Sequence, residues 1–252
     1  MKFSIAYNNR TYIADMSTPI DISIPLIPGN KGPNCFWAPT FEAKPVIDGD
    51  WIGDTTQGGN LNFKTVRINP HGNGTHTECV GHISKEKINI IDVLTNFHHI
   101  AQVVTIQPIV LDNGDRVITL QQIENITFKS GITALIIRTI PNTDDKLSMV
   151  YTDTNPPYTE PAAIAHIVNQ GVLHLLLDLP SVDREQDEGK LSAHKTFWNY
   201  PSTIDMKKTI TEMIYVPNAV KDGLYLLNLQ IASFALDASP SKPILYPLLE
   251  NK

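Results

Sequence analysis

The strongest chemical signal in this sequence is a cluster of histidines with a carboxylate between residues 71 and 82. Three of the eight histidines, His71, His76 and His82, lie in this segment together with Glu78. Imidazole and carboxylate are both ligands of zinc, manganese and iron. Glycines within the segment would let the backbone fold closely around an ion. The segment therefore predicts a metal site, the alternative being a polar surface loop.

The spacing within the cluster strengthens the prediction. His76 and Glu78 are two residues apart, so in an extended backbone their side chains point to the same side. His82 is four residues beyond Glu78, and one turn after a strand would bring it back. This differs from the helical H-E-x-x-H arrangement of metalloproteases. Cys79 is either a further ligand or, as the pattern favours, a small buried side chain on the opposite face.

Acidic residues in the second half of the chain are further candidates. Glu212 lies in an otherwise apolar predicted strand, where an unpaired carboxylate is costly unless it binds a partner or a metal. Asp178 and Asp183 follow another predicted strand, where they either stabilise a turn or support a site. His194, considered alone, is typical of a surface residue. The other histidines are predicted to be structural or exposed: His98, His99, His166 and His174.

The composition is that of a globular protein with one large domain spanning residues 1–252. The hydrophobic content is 42% and the charged content 18%, and a chain of 252 residues can bury a substantial core. No linker or internal repeat is visible. No G-x-G-x-x-G, Walker or G-x-S-x-G motif occurs, so neither a nucleotide cofactor nor a serine nucleophile is supported.

Charge and hydropathy limit the partners. The net charge of −6 and the absence of a basic stripe argue against nucleic acid. No apolar run approaches the ~20 residues of a membrane-spanning helix. We therefore expect a small-molecule substrate and no membrane partner. Two cysteines are too few for a disulfide framework, and the first residues lack a signal-peptide core, so we expect a cytoplasmic protein.

Hydrophobic periodicity predicts an α/β fold with one mixed β-sheet or barrel-like core and helices packed outside. Asn8-Asn9 suits a hairpin turn, and residues 27–63 are predicted to form long loops. The predicted strands are Lys2–Tyr7, Arg10–Ala14, Ile20–Leu26, Lys64–Ile68, Val103–Leu111, Ile132–Thr139, Val172–Leu179, Thr209–Val216 and Leu224–Leu236. The predicted helices are Leu120–Ile126 and Glu160–Gln170, the latter followed by Gly171 as its cap.

The segment 71–82 resembles the signature P-H-x-G-T-H-x-D-x-x-x-H of the cyclase family, which includes bacterial kynurenine formamidase and isatin hydrolase. Pro70-His71, Gly74-Thr75-His76, Glu78 and His82 fall on this signature. There are two departures from it. One extra residue separates His71 from His76, and Glu78 stands where the family has aspartate.

Weaker pieces of the resemblance follow in the family's order. Residues 15–26 are similar to its opening D-L-[ST]-x-P-[IL] region, and Arg138-Thr139 to a strand that ends in R-T. Residues 178–183 are similar to its D-x-P-S-x-D stretch, and residues 237–240 to its closing S-P motif. His194 and Glu212 correspond to a downstream histidine ligand and to the glutamate of a late strand.

The resemblance implies a swivelling β/β/α fold and one or two divalent ions per chain, zinc or manganese. It implies that His82 transfers protons and that Trp37 contributes to substrate binding, the alternative for Trp37 being a core aromatic. It also implies hydrolysis of an amide, formamide or lactam bond, and a homo-oligomer, either dimer or tetramer. A non-hydrolytic metal protein and a metal-dependent lyase or isomerase are the alternatives. The implied metal ligands are His71, His76, Glu78, His194 and Glu212.

Overall fold

The computed structural model describes residues 1–250 and contains β-strands and α-helices in a mixed order. The strands are β1 (Lys2–Tyr7), β2 (Arg10–Asp15), β3 (Ile20–Asp21), β4 (Glu42–Pro45), β5 (Ile47–Asp48), β6 (Trp51–Ile52), β7 (Lys64–Arg67), β8 (His76–Glu78), β9 (His98–Ile106), β10 (Ile109–Val110), β11 (Arg116–Ile118), β12 (Ala134–Thr139), β13 (Tyr158–Thr159), β14 (His174–Leu177), β15 (Thr209–Glu212), β16 (Gly223–Ile231), β17 (Ala238–Pro247) and β18 (Leu249–Glu250). The helices are α1 (Ile90–Val93), α2 (Leu120–Glu124), α3 (Pro161–Asn169) and α4 (Ser192–Trp198), with short 3-10 turns at Thr55–Gln57, Val80–His82 and Asp144–Leu147.

A closed β-barrel forms the centre of the fold. Seven strands follow one another in the order β16, β9, β12, β14, β15, β8 and β17, and the pairing of β17 with β16 closes the ring. The strands from β9 to β15 run parallel to one another, while β8, β17 and β16 pair antiparallel with their neighbours. The prediction of an α/β fold with a mixed, barrel-like sheet is therefore confirmed.

Strand β12 shows how the barrel is packed on both faces. All of its residues are buried. Leu135 and Ile137 pack in the cluster that contains buried residues of α3 and α4, whereas Ala134 and Ile136 pack with residues of β9 and β16. A parallel strand covered on both sides needs apolar residues at successive positions, which explains the continuous apolar run in the sequence.

Two local predictions are confirmed by backbone geometry. Asn8 and Asn9 have φ values of 49° and 59° and join β1 to β2, because asparagine tolerates the positive φ that a two-residue hairpin turn requires. Helix α3 begins with Pro161 at its first position. Gly171 follows that helix with a φ of 83°, which is the left-handed conformation of a helix-terminating glycine.

Several observed strands differ in extent from the predicted ones. The predicted strand Val103–Leu111 is shifted, because β9 ends before Pro108, which has no amide hydrogen to donate to a sheet. The predicted strand Ile20–Leu26 is reduced to β3, and the Ile24 amide beyond it donates to the Thr75 side chain instead. Within residues 1–250, no helix has the length and apolarity required to cross a membrane.

A pair of buried histidines lies at the start of β9 and β14. The ring centroids of His99 and His174 are 3.9 Å apart, and each side chain also has a polar partner. The His99 Nε2 group donates to the Asn96 carbonyl oxygen, and His174 Nδ1 lies 2.8 Å from Thr209 Oγ1. Burial lowers the pKa of His174 to about 3. Burial also lowers the pKa of His99, so both rings are neutral in the folded protein.

We expect His174 to make the folded protein sensitive to acid. Below its ordinary pKa of 6.5 the unfolded chain takes up a proton that the folded protein does not bind until about pH 3. In this window the free energy of unfolding falls by up to about 1.4 kcal/mol for each pH unit lost. In a His174→Gln variant, the free energy of unfolding measured with urea should fall less steeply with decreasing pH than in the wild type. The exposed His98→Gln is the control, and equal slopes for all three proteins would contradict this prediction.

Candidate metal centre

The barrel brings the chemically interesting residues of the two halves of the chain together. Strand β8 lies between β15 and β17, with Glu212 opposite His76 and Ala238 opposite Glu78. The 3-10 turn after β8 carries His82 back toward Glu78, as its spacing predicted. Helix α4, which follows β14 in the chain, supplies His194.

Glu78 is the centre of this group. It is fully buried, and its two oxygens face different partners. Glu78 Oε1 lies 3.2 Å from His194 Nε2. Glu78 Oε2 lies 3.1 Å from His71 Nδ1 and 3.8 Å from His82 Nδ1. A carboxylate surrounded in this way can bind a cation through each oxygen.

Two buried polar atoms in this group, His76 Nε2 and Glu78 Oε2, lack a partner in good hydrogen-bonding geometry, although His71 Nδ1 lies 3.1 Å from Glu78 Oε2. The nearest carboxylate oxygen to His76 Nε2 belongs to Glu212, at 3.5 Å. Buried polar atoms are almost always satisfied, because leaving one unpaired costs about 1–3 kcal/mol. A divalent cation between these atoms would satisfy both, so the residues present fit a metal ion.

In three of the imidazoles, the ring nitrogen that faces away from Glu78 and Glu212 has its own hydrogen-bond acceptor, which supports the same interpretation. His194 Nδ1 lies 2.6 Å from Asp183 Oδ2, and His71 Nε2 lies 2.7 Å from Asp237 Oδ2. His76 Nδ1 lies 3.0 Å from the Gly74 carbonyl oxygen. In each ring the other nitrogen faces Glu78 or Glu212. Metal-binding histidines are typically oriented by an acceptor behind the ring in this way.

Three groups of side chains offer ligand atoms that lie within 4.8 Å of one another. These groups are His71 with His76 and Glu78, His71 with His82 and Asp237, and Glu78 with His82 and His194. Glu212 Oε1 lies 3.9 Å from His194 Nε2 and accepts the Val182 amide. The structure thus places all of the sequence-predicted ligands and His82 in one cluster.

The electrostatics of this cluster favour cations. Burial by itself lowers the pKa of His71 and of His194, but the hydrogen bonds that each ring donates to neighbouring carboxylates outweigh it and raise each pKa to about 10. Burial would raise the pKa of Glu78, yet His82, His194 and His71 hold it well below its ordinary value. The carboxylates therefore retain protons on nearby imidazoles, and a metal ion that binds here must displace these protons.

Asp237 is the residue in this cluster that sequence reasoning did not single out as a candidate ligand. It precedes β17, and its Oδ2 lies 2.7 Å from His71 Nε2 and 3.5 Å from His82 Nδ1. Hydrogen bonds from His71 and His82 are the largest causes that hold its pKa far below the ordinary aspartate value. Only the pairing of β17 with β8 brings Asp237 beside Glu78.

Asp178 and Asp183, which the sequence left open, have different surroundings. Asp183 accepts from the Ala193 and His194 amides at the start of α4 as well as from the His194 ring, so it orients that histidine. Asp178 is paired with Lys146 at 2.7 Å and bonded to Thr139, so it has a structural role. Cys79 is buried in the apolar core, as the pattern favoured.

The cluster opens onto a cavity of about 320 Å³, which is the size of a small-molecule site. Its lining includes His71, His82, His194 and Glu212. A larger groove of about 910 Å³ lies along α3 and α4 and contains none of these residues. The volume at the histidines is therefore the candidate substrate cavity.

The neighbouring aromatic residues Phe36 and Trp37 differ in their position relative to this cavity. Phe36 and Ala38 line it, whereas the intervening Trp37 is 61% exposed and does not belong to its lining. The alternative of a core aromatic is inconsistent with that exposure. The substrate-binding role of Trp37 stays a prediction, and Phe36 is the aromatic side chain that faces the cavity.

Two glycines in the segment 71–82 allow neighbouring segments of the chain to approach closely. Their role is therefore more than to let the backbone fold around an ion. A Cβ atom on Gly81 would lie 2.1 Å from the Ile88 carbonyl oxygen, and one on Gly72 would lie 2.2 Å from the Ala38 side chain. Both distances are far below contact distance, so side chains at these two positions would displace the Ile88 backbone and the Ala38 side chain.

We expect an Asp183→Asn variant to bind metal more weakly. The amide keeps the approximate shape of the carboxylate but loses the charge that orients His194. Loss of such an outer partner typically costs 10- to 100-fold in metal affinity, and we expect a loss of about that size. Competition with a fluorescent chelator would measure it. The exposed Asp112→Asn is the matched control, and equal affinities of the two variants would contradict the orienting role.

The sequence matches a family model described as "Putative cyclase" over residues 14–184, which is more than half of the chain. The matched range includes the segment 71–82 and ends just after Asp183, before His194 and Glu212. No curated protein sequence matches the chain significantly.

Solved structures with the same fold cover most of the chain. A "predicted metal-dependent hydrolase" from Bacillus stearothermophilus has 15% identity and a TM-score of 0.64, over 91% of this chain and 98% of that one. Isatin hydrolase A from Labrenzia aggregata, bound to benzyl benzoate, has 12% identity and a TM-score of 0.65, over 93% and 94%. An isatin hydrolase bound to the product analogue thioisatinate has 14% identity and a TM-score of 0.61, over 92% of both chains. At these identities the likeness shows the fold.

Proposed function

Because this chain belongs to the cyclase family, we propose that it is a metal-dependent hydrolase that cleaves an amide, formamide or lactam carbon–nitrogen bond of a small molecule. The observation that carries this proposal is that His76 Nε2 and Glu78 Oε2 lack well-aligned hydrogen-bond partners within a buried cluster of imidazoles and carboxylates. Such a cluster at the end of a cavity is suited to a cation and a substrate together. We further propose that residues 1–252 form one functional domain.

The proposed ligands are His71, His76, Glu78, His194 and Glu212, which would hold one or two ions of zinc or manganese. Glu78 would offer one oxygen on the side of His194 and the other on the side of His71. When bound, a divalent ion supplies two effects: it lowers the pKa of a water molecule toward 7 and it polarises a carbonyl oxygen.

His82 is proposed to move protons between the attacking water and the leaving nitrogen. Its side chain is 30% exposed and lines the cavity, so substrate can reach it. Unlike His194, it is not held by a short hydrogen bond; its nearest carboxylate oxygens are 3.5 Å and 3.8 Å away. An imidazole in this position can accept a proton from water and return it to a leaving group.

The substrate proposal rests on the cavity and on the neighbouring structures. A volume of about 320 Å³ admits a ring of ordinary size but no folded polypeptide. Phe36 and Leu191 provide apolar lining, while Asn69 and Ser181 provide polar groups. Since one similar structure is an isatin hydrolase with a product analogue, an aromatic lactam is a suitable first probe. A homodimer or homotetramer, implied by the family resemblance, stays a prediction that sedimentation would test.

The test is an assay of purified protein after metal analysis. We expect hydrolysis of formanilide or isatin that a chelator abolishes and that zinc or manganese restores. Oxygen from ¹⁸O-labelled water should enter the product, which separates hydrolysis from a lyase or isomerase reaction. Metal-loaded protein that turns over neither probe, or that gives product without labelled oxygen, would contradict the proposed activity.

A further inference from the structure

Arg184 brings a permanent positive charge to the candidate substrate cavity. It lies directly after Asp183, and its side chain is 42% exposed. Among the residues that line the cavity it is the single lysine or arginine. Its guanidinium is therefore the one cavity group that stays cationic regardless of metal or pH.

Asp115 holds this guanidinium in place. The Asp115 side chain is 4% exposed, and Arg184 Nε and Nη2 donate to its Oδ1 at 3.2 Å and 3.1 Å. Three further donors fix the same carboxylate: Asn113 Nδ2 at 3.0 Å, Asn155 Nδ2 at 3.1 Å and the Tyr158 hydroxyl at 3.1 Å. A carboxylate with this many donors is a rigid anchor rather than a mobile surface partner.

The guanidinium still has donors to offer. It carries five N–H groups; two are used by Asp115, and Nη1 donates to the Gln186 carbonyl oxygen at 3.0 Å. One N–H on each terminal nitrogen therefore has no partner among residues 1–250. Two N–H groups on adjacent nitrogens match the two oxygens of a carboxylate.

The acidic residues near Arg184 form their hydrogen bonds with groups other than these donors. Both oxygens of Asp187 accept backbone amides, from Gly189 and Leu191. Glu185 accepts the Asp153 amide at 2.9 Å. Arg184 forms its ion pair with Asp115 alone among the described residues.

We propose that Arg184 is a specificity-determining residue that selects substrates bearing a carboxylate remote from the bond that is cleaved. Asp115 is its positioning residue. This inference rests on the proposed function, because it concerns a second contact to the substrate in the same cavity. It assigns the substrate class as an amide or formamide with an anionic substituent.

The test compares two formamides that differ only in charge, 4-formamidobenzoate and neutral formanilide. We expect the wild type to prefer 4-formamidobenzoate. Arg184→Gln should raise the KM for 4-formamidobenzoate about 10- to 100-fold, which corresponds to the usual contribution of a charged hydrogen bond. The kcat should be nearly unchanged. The KM for formanilide should change little. Arg10→Gln, on the exposed surface and paired with Glu250, is the matched control.

Asp115→Asn tests the positioning role separately. We expect a selective rise in KM for 4-formamidobenzoate that is smaller than for Arg184→Gln, and Arg184→Lys should restore part of the preference. Melting temperatures show whether the variants fold. If Asp115→Asn does not fold, the comparison of the wild type with Arg184→Gln still tests the inference. A wild type with no preference for the carboxylate, or equal losses on both formamides, would overturn the inference.

A binding measurement separates this inference from the proposed activity. Calorimetry with metal-loaded protein should show that 4-aminobenzoate binds more tightly than aniline, and that Arg184→Gln removes the difference. If the protein binds in this order but hydrolyses neither formamide, the proposed function fails and the role of Arg184 is retained. If hydrolysis occurs without any such order, the role of Arg184 fails alone.

Discussion

A Glu78→Gln variant is expected to lose its metal and, with it, hydrolysis. Glu78 is the carboxylate common to the imidazoles of His71, His82 and His194, and glutamine removes its charge with almost no change in shape. Loss of an outer partner already costs 10- to 100-fold in metal affinity, so loss of this central ligand should cost more than about 100-fold. Metal content after dialysis and turnover of formanilide would measure both effects.

The exposed Glu124→Gln is the matched control for this variant, since it removes one carboxylate on helix α2 away from the cluster. It should keep the metal content and turnover of the wild type. Glu78→Gln protein that is folded and still retains stoichiometric metal after dialysis would show that Glu78 is not a ligand.

A His82→Ala variant is expected to keep its metal and lose most of its turnover. Its ring lines the cavity but lies 3.8 Å from Glu78, so its removal leaves the proposed ligands in place. General acid–base catalysis typically contributes 10²- to 10⁴-fold, and kcat should fall by about that factor. Metal analysis and steady-state kinetics on one protein sample would show the two effects together.

The control is His98→Ala, because His98 is exposed and lies on β9 outside the cluster. Wild-type turnover by His82→Ala would disprove its proton-transfer role. Loss of metal from the same variant would instead assign His82 as a ligand, which the group of His71, His82 and Asp237 would then explain.

Most of the barrel could be predicted from local patterns, because its parallel strands are apolar runs that are buried on both faces. The strand that closes it could not. Strand β17 contains Pro240, Pro243 and Pro247, and proline normally argues against a strand. Helix α4 could not be predicted either, since a helix from Ser192 to Trp198 is too short to show a clear 3.6-residue period.

The same limits decide which site residues could be predicted. His71, His76, Glu78 and His82 are close in sequence, so their types and spacing alone predicted a cluster. His194 depended on the family resemblance, because a single histidine carries no local pattern.

Asp237 required a fact that is not local. It lies beside His71 because β17 pairs with β8, with Ala238 opposite Glu78. Without a prediction of β17, nothing in the sequence connects residue 237 to residue 71. Arg184 is similar, since its partner Asp115 is anchored by Asn155 and Tyr158 from a different segment.

The most direct test is anomalous diffraction from crystals of the protein saturated with zinc, measured at the zinc absorption edge. We expect a peak within about 2.0–2.2 Å of His76 Nε2 and of a Glu78 oxygen, which is the usual range for zinc ligands. A second peak near His194 and Glu212 would indicate a paired site. Saturated crystals with no peak between these side chains, or with zinc bound only elsewhere, would show that this cluster is not a metal site.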